Sequence, residues 1–363
     1  MKYVTEFRDG AAAAKLVERI RRRPAIPVNL MEVCGTHTVA IFRHGIRDLL
    51  PENINLVSGP GCPVCVTANR DIDWAIALAH RPEVILATFG DMLKVPGSRT
   101  SLQRARAEGA QVRVVYSTLD ALEIARANPR QMVVFFGIGF ETTAPTVACS
   151  VLEAESQGLA NYYVYSVHKV MPPPMEALVA SGEVRIDGFL CPGHVSAIIG
   201  SEPYRFLARD HGIPCVVAGF EPLDVLQSID MLLAMRAEGR AEVEIQYRRV
   251  VRPEGNPAAR EQLYRVFQAA DAEWRGLGVI PASGLEIREE YARFDARRAF
   301  QLDPGPTLEH RGCRCGEVLR GSIKPPECGL YGQVCTPESP VGPCMVSSEG
   351  TCSTWYQFAG VEG

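Results

Sequence analysis

The chain is 363 residues long, which at about 150 residues per domain allows two or three domains. Hydrophobic residues make up 47% and charged residues 22%, enough apolar content for full cores and too much for a mostly disordered chain. The formal charge of −4 leaves no basic excess to neutralise phosphates, which argues against a nucleic-acid partner.

In chain order, residues 11–23 read as a helix ended by Pro24 and Pro27. The opening residues hold no apolar stretch long enough for a signal peptide. The most apolar run elsewhere, residues 133–140, is far short of the ~20 that a membrane helix needs. A cytoplasmic location with no membrane partner is therefore expected. Short β-rich apolar runs follow at 28–33, 54–57, 84–89, 112–116 and 132–136, with a helix expected over 39–50 and amphipathic stretches at 67–80, 102–109 and 119–128. Buried strands alternating with helices predict parallel α/β sheets. The alternation continues through strands at 162–167, 186–191 and 214–218, between helices at 173–181, 203–210 and 222–238. A weak repeat links residues 133–145 with 215–226: each has a strand, then Gly-Phe-Glu, then a helix. It suggests two α/β halves facing one another. After about residue 240 the pattern fades into a helix to about residue 270 and then irregular chain. From Arg311 onward glycine, proline and cysteine dominate, and such a tail needs a staple.

Of 12 cysteines, six (Cys313, Cys315, Cys328, Cys335, Cys344 and Cys352) crowd this tail. In a reducing compartment that crowding points to metal or redox chemistry rather than a disulfide scaffold. Four thiolates can close around one zinc ion or one iron–sulfur cluster. The loose spacing favours a cluster over the tight pairs of a zinc ribbon. Cys62-Pro63-Val64-Cys65 forms a second motif, a ring able to open and close as a disulfide or to supply half a metal site. A helix starting near Thr67 would favour the Cys65 thiolate. Cys34 ends the first expected strand, followed by Gly35-Thr36-His37, where ligands bind in open α/β sheets. Adjacent parallel strands would bring Cys34, Cys62 and Cys65 together. Glu141 starts a helix after a glycine-rich turn, where capping accounts for it equally well. His37 and His44 would share a helix face, and His168 and His194 follow strands. Cys149, Cys191 and Cys215 read as small core residues.

Together, MEVCGTHT, GPGCPVCV, TFGDMLKVPG, VVFFGIGFETTAPT, CPGHVSAIIG, VVAGFEPLDVL, WRGLGVI and the tail segments RCGEVLRG, CGLYGQVCTP and MVSSEGTCSTWYQ resemble the HypD family of [NiFe]-hydrogenase maturation proteins across essentially the whole chain. The resemblance implies an α/β fold with two parallel-sheet lobes around a cleft plus a smaller Cys-rich iron–sulfur region. The corresponding division is 1–23 as an N-terminal helix packing with the C-terminal region, 24–140 and 141–265 as the two lobes, and 266–363 as the cluster-bearing region. It implies a scaffold for assembling the Fe(CN)2CO group, fed by electrons from a [4Fe–4S] cluster through Cys62 and Cys65 to an iron at Cys34. A HypC-type chaperone would share that iron, and a HypE-type carrier would deliver cyanide; outside that complex a monomer is expected. By the resemblance, Cys34, Cys62 and Cys65 are iron-site and redox residues, His37 and Glu141 lie near the cleft, and Cys315, Cys328, Cys335 and Cys352 hold the cluster. Cys313 and Cys344 are then spare. An iron–sulfur disulfide reductase acting on a separate substrate is the competing reading, and a zinc-bound interaction module is a third.

Overall fold

The computed structural model describes residues 5–359. Its strands form two separate parallel sheets and one hairpin. The first sheet contains β1 (Val28–Glu32), β2 (Ile54–Ser58), β7 (Gly188–Pro192), β8 (Cys215–Ala218) and β9 (Val243–Ile245), in the order β2-β1-β7-β8-β9. The second contains β3 (Val84–Thr88), β4 (Val112–Val114), β5 (Met132–Gly137) and β6 (Tyr162–Ser166), in the order β4-β3-β5-β6. Every pairing within these sheets is parallel. The fold is α/β, with two parallel sheets and a Cys-rich region.

Residue 140 is not where the sheets divide. The second sheet is built from chain inserted between β2 and β7, so β1 pairs with β7 across more than a hundred residues. The expected halves 24–140 and 141–265 each contribute strands to both sheets. β1 and β7 are both largely buried, and sequence periodicity does not record which buried strand pairs with which.

Alternation along the strands assigns each face. Leu30, Leu190 and Val216 point to an outer core with Leu16, Val17 and Ile20 of the helix Gly10–Arg21. Met31, Phe189, Cys191 and Val217 point the other way, into a central core shared with Leu86, Val134 and Phe136 of the second sheet. The same central core takes in Cys65, Val318, Leu319, Cys344 and Met345, so the tail folds against both sheets. The helix Gly10–Arg21 packs on the helix Pro222–Ala237, with Arg19 and Arg23 paired to Asp230. Among the described residues that is its main contact, where packing on the C-terminal region was expected.

Other expectations shift in detail. The helix over 39–50 is two helices, Gly35–Arg43 and Ile46–Leu49, broken at Gly45, whose φ of 59° lies in the left-handed region. His44 therefore sits at a helix end rather than on a face shared with His37. The chain expected to be helical to residue 270 and then irregular instead turns from the helix Pro257–Val266 into an antiparallel hairpin. Its strands are β10 (Phe267–Trp274) and β11 (Gly278–Ile287). Phe267, Leu285 and Ile287 pack on the second sheet's outer core, beside Val133 and Phe135. Cys191 and Cys215 are buried as read, but Cys149 is exposed on the helix Ala144–Ser156. Among the described residues no helix is long and apolar enough to cross a membrane.

Candidate thiol and metal site

In a parallel sheet all strands end at the same edge, so the loops after β1, β2, β7 and β8 meet. Cys34 follows β1 and Cys62 opens the turn after β2; the Gly35 amide donates to the Gly61 carbonyl at 3.2 Å and ties the two loops. Cys34 is buried beside two carboxylates from different parts of the chain. Glu32 accepts from the Cys34 amide at 3.0 Å and from the Thr38 hydroxyl at 2.5 Å. Glu349, from the tail, accepts from the Thr36 hydroxyl at 2.7 Å. Burial, then Glu349, then Glu32 push the Cys34 thiol up to about 12. Burial also raises Glu32 to about 8. In this pocket the Cys34 thiol stays neutral.

His37 lies one helical turn on, fully buried. Its Nε2–H is shared between the carbonyls of Ala218 (3.3 Å) and Gly219 (3.1 Å), at the end of β8. With the proton held there, Nδ1 carries a lone pair that no described group satisfies. Burial lowers its basicity to about 4, so the ring is neutral. Phe220 stacks between His37 at 4.7 Å and His194 at 3.9 Å, so the end of β8 joins these histidines.

The Cys62–Cys65 loop is a short helix, Pro63–Val66, with Cys62 as its N-cap; the Cys65 amide donates to the Cys62 sulfur at 3.3 Å. Pro63, pre-set for a first helical position, starts this turn earlier than the expected start near Thr67, so Cys62 rather than Cys65 takes the terminus. Cys65 is fully buried, and its nearest sulfur outside the loop belongs to Cys344. Burial, then Cys344 and Cys62 hold the Cys65 thiol well above its usual range. Cys344 is the opposite case: its neighbours Cys315, Cys352 and Cys65 hold its thiol well below the usual range, so it stands between the Cys62–Cys65 turn and the tail sulfurs. Beyond it, Cys313, Cys315, Cys328, Cys335 and Cys352 line one small cavity walled by Val318, Leu330, Tyr331 and Met345. All twelve cysteines are free thiols.

The donor set fits a thiolate-held cluster: five sulfurs around one apolar cavity, four of them enough. Cys315, Cys328, Cys335 and Cys352 all line it. Cys313 lines it too, and Cys344 does not, so the two cysteines left over by spacing have different places. Among the described residues no group of three or more histidine, cysteine or acidic side chains is arranged to hold a single metal ion. Cys34, Cys62 and Cys65 thus share an edge but are not poised as three ligands of one ion. Cys34 faces carboxylates, whereas Cys62 and Cys65 face sulfur.

Glu141 joins a different group. It is buried, accepts from the Met171 amide at 3.0 Å and leaves Oε2 without a described partner, in the seam with Tyr204 and Tyr264. Burial raises it to about 7. His168 lies at the end of β6 against Ser166, at 3.0 Å, and the hairpin. Residues that sequence reasoning missed are Glu32, Glu349, Phe220 and the linking Cys344. Glu32 stands two residues before Cys34 and was within reach of inspection; Glu349 and Phe220 come from distant segments that only the fold brings in.

The HypD model, described as the hydrogenase formation hypA family, matches residues 11–359. The hydrogenase expression/formation protein HupD of Azotobacter chroococcum mcd 1 is 52% identical, over 99% of this chain and 97% of its own. The hydrogenase maturation factors HypD of Azotobacter vinelandii and Escherichia coli (strain K12) are 51% and 46% identical, each over 99% of this chain and over 97% and 98% of their own.

Proposed function

The chain belongs to the HypD family of hydrogenase maturation factors, and from that premise we propose that it is a redox scaffold on which the Fe(CN)2CO group is assembled. The iron is cargo, held at Cys34. A HypC-type chaperone shares it, and a HypE-type carrier brings cyanide as a thiocyanate. The carrying observation is the continuous line of sulfur from Cys62 and Cys65 through Cys344 to the tail cysteines.

Cys315, Cys328, Cys335 and Cys352 would hold a [4Fe–4S] cluster, which would supply single electrons. The Cys62–Cys65 pair exchanges two. As a dithiol it can cleave the S–CN bond of a carrier thiocyanate: the carrier leaves as a thiol, cyanide takes the second proton, and Cys62 and Cys65 close as a disulfide. Two electrons and two protons reopen that disulfide. Cys344 is placed to attack it: its thiolate would form a mixed disulfide with one member of the pair and release the other as a thiol, and the two electrons that return the mixed disulfide to thiols would come one at a time from the tail. The pocket of Cys34 and His37 keeps water out, and binding a cation there releases the Cys34 proton toward Glu32 or Glu349.

The test is anaerobic purification with the HypC-type partner, followed by iron and acid-labile sulfide analysis and infrared spectroscopy. The expected result is about four tail-bound irons with sulfide, plus cyanide and carbonyl stretches on one further iron. Iron-free protein, or zinc in its place, contradicts the reading.

A further inference from the structure

The surface that opens onto the tail cysteines differs in charge from the rest of the chain. An open groove of about 710 Å3 runs between the loop after β3 and the tail, and Cys313 and Cys315 form part of its floor. Its cationic side chains are Lys94, Arg99, Arg104 and Arg275, against the acids Glu309 and Glu338. The chain as a whole carries −4, so this patch is positive on a negative molecule. Among the described ion pairs, Lys94, Arg99 and Arg275 have no carboxylate partner; Arg104 has only the exposed Glu108 at 3.3 Å.

Arg275 is buried to 8% exposure and its guanidinium donates to the Thr67 carbonyl at 3.1 Å and to Asn69. A buried cation without a carboxylate is costly unless negative charge lies close by. On the other wall, Gly342 has no side chain, and a Cβ there would stand 2.5 Å from the Cys315 sulfur and 2.7 Å from the Cys313 sulfur. The chain just after the lining residue Val341 thus passes directly against both sulfurs. At the mouth, Leu308 is exposed beside Pro340 and Val341, giving an apolar centre within a charged rim. Small, rim-charged contacts of this kind suit transient electron-transfer encounters, which gain rate from steering more than affinity from area.

We propose that this groove is the docking site for an acidic one-electron carrier protein, which delivers electrons to the tail cysteines' cluster. The proposal rests on the cluster reading above. In each encounter the carrier is oxidised by one electron and the cluster reduced by one; no covalent bond forms or breaks. The chain's net negative charge disfavours the approach of such a carrier, and the cationic groove favours it locally.

The probe is a small acidic [2Fe–2S] ferredoxin, reduced beforehand and mixed with anaerobic holoprotein while the cluster absorbance is followed. Association is measured separately by titration calorimetry. Arg99→Glu with Arg104→Glu should slow reduction and weaken association about ten-fold or more at low salt, and added salt should slow the wild type but not the variant. Iron content and the rate of reduction by dithionite should be unchanged in the variant. Equal ferredoxin rates in wild type and variant, with the cluster present in both, overturn the docking site alone. Wild-type protein without tail iron overturns the cluster reading, and the docking site with it.

Discussion

Two buried thiol environments lie at one edge of the first sheet, and they are built oppositely. Around Cys34 the neighbours are oxygen: burial and the carboxylates of Glu349 and Glu32 keep its proton in place, against the opposing hydrogen bonds of Thr36. Around Cys344 the neighbours are sulfur, and they favour its thiolate. A thiol held protonated suits waiting for a metal; a thiol pushed toward its thiolate suits exchange. Burial alone does not separate them, since both are buried. The partner atoms decide.

That contrast can be broken at several points. Cys34→Ser should abolish the cyanide and carbonyl stretches while leaving tail iron and sulfide intact; parallel loss of both would mean the two environments are one site. Gly35→Ala attacks their junction. A Cβ at Gly35 would stand 2.6 Å from both the Cβ and the backbone oxygen of Glu349, so the tail must move off the first helix turn. The expected cost is about 3 kcal/mol in chemical denaturation, with weakened iron retention at Cys34. Unchanged stability would show that the tail does not seat there.

Glu141→Gln should separate structure from chemistry in a region belonging to neither environment. Folding raises the Glu141 carboxyl from 4.5 to about 7, so the folded state binds its proton more tightly than the unfolded chain. Stability from this group is therefore greatest below pH 4.5, falls as pH rises toward 7, and stays low above. The variant should be more stable than wild type by about 1–2 kcal/mol at pH 8, after allowing for its own unpaired amide, and no more stable at pH 4.5. Full maturation activity in the variant would assign Glu141 to packing.

The α/β class and most strand positions were legible because buried strands read as short apolar runs, Ile85–Leu86 and Val133–Phe136 among them. Which sheet each strand joins was not legible, because β1 finds β7 rather than its sequence neighbours in the second half of the first lobe. The hairpin was hidden by the polar outward positions of β10, such as Gln268 and Glu273. Cys34, His37, Cys62 and Cys65 stood out through residue type and strand-end position. Cys344 did not: spacing makes it surplus, and only the packing of Pro343–Val346 on the Pro63–Val66 turn puts it between the two groups.

The central claim is that Cys344 links the tail sulfurs to Cys62 and Cys65, and thiol trapping with mass spectrometry tests it most directly. Anaerobic protein with Cys62 and Cys65 oxidised is given a one-electron reductant in stoichiometric amounts, and the free thiols are alkylated. Wild-type protein should yield Cys62 and Cys65 as alkylated thiols, whereas Cys344→Ser, with its tail iron retained, should keep them as a disulfide. Equal reduction in both proteins would contradict the account.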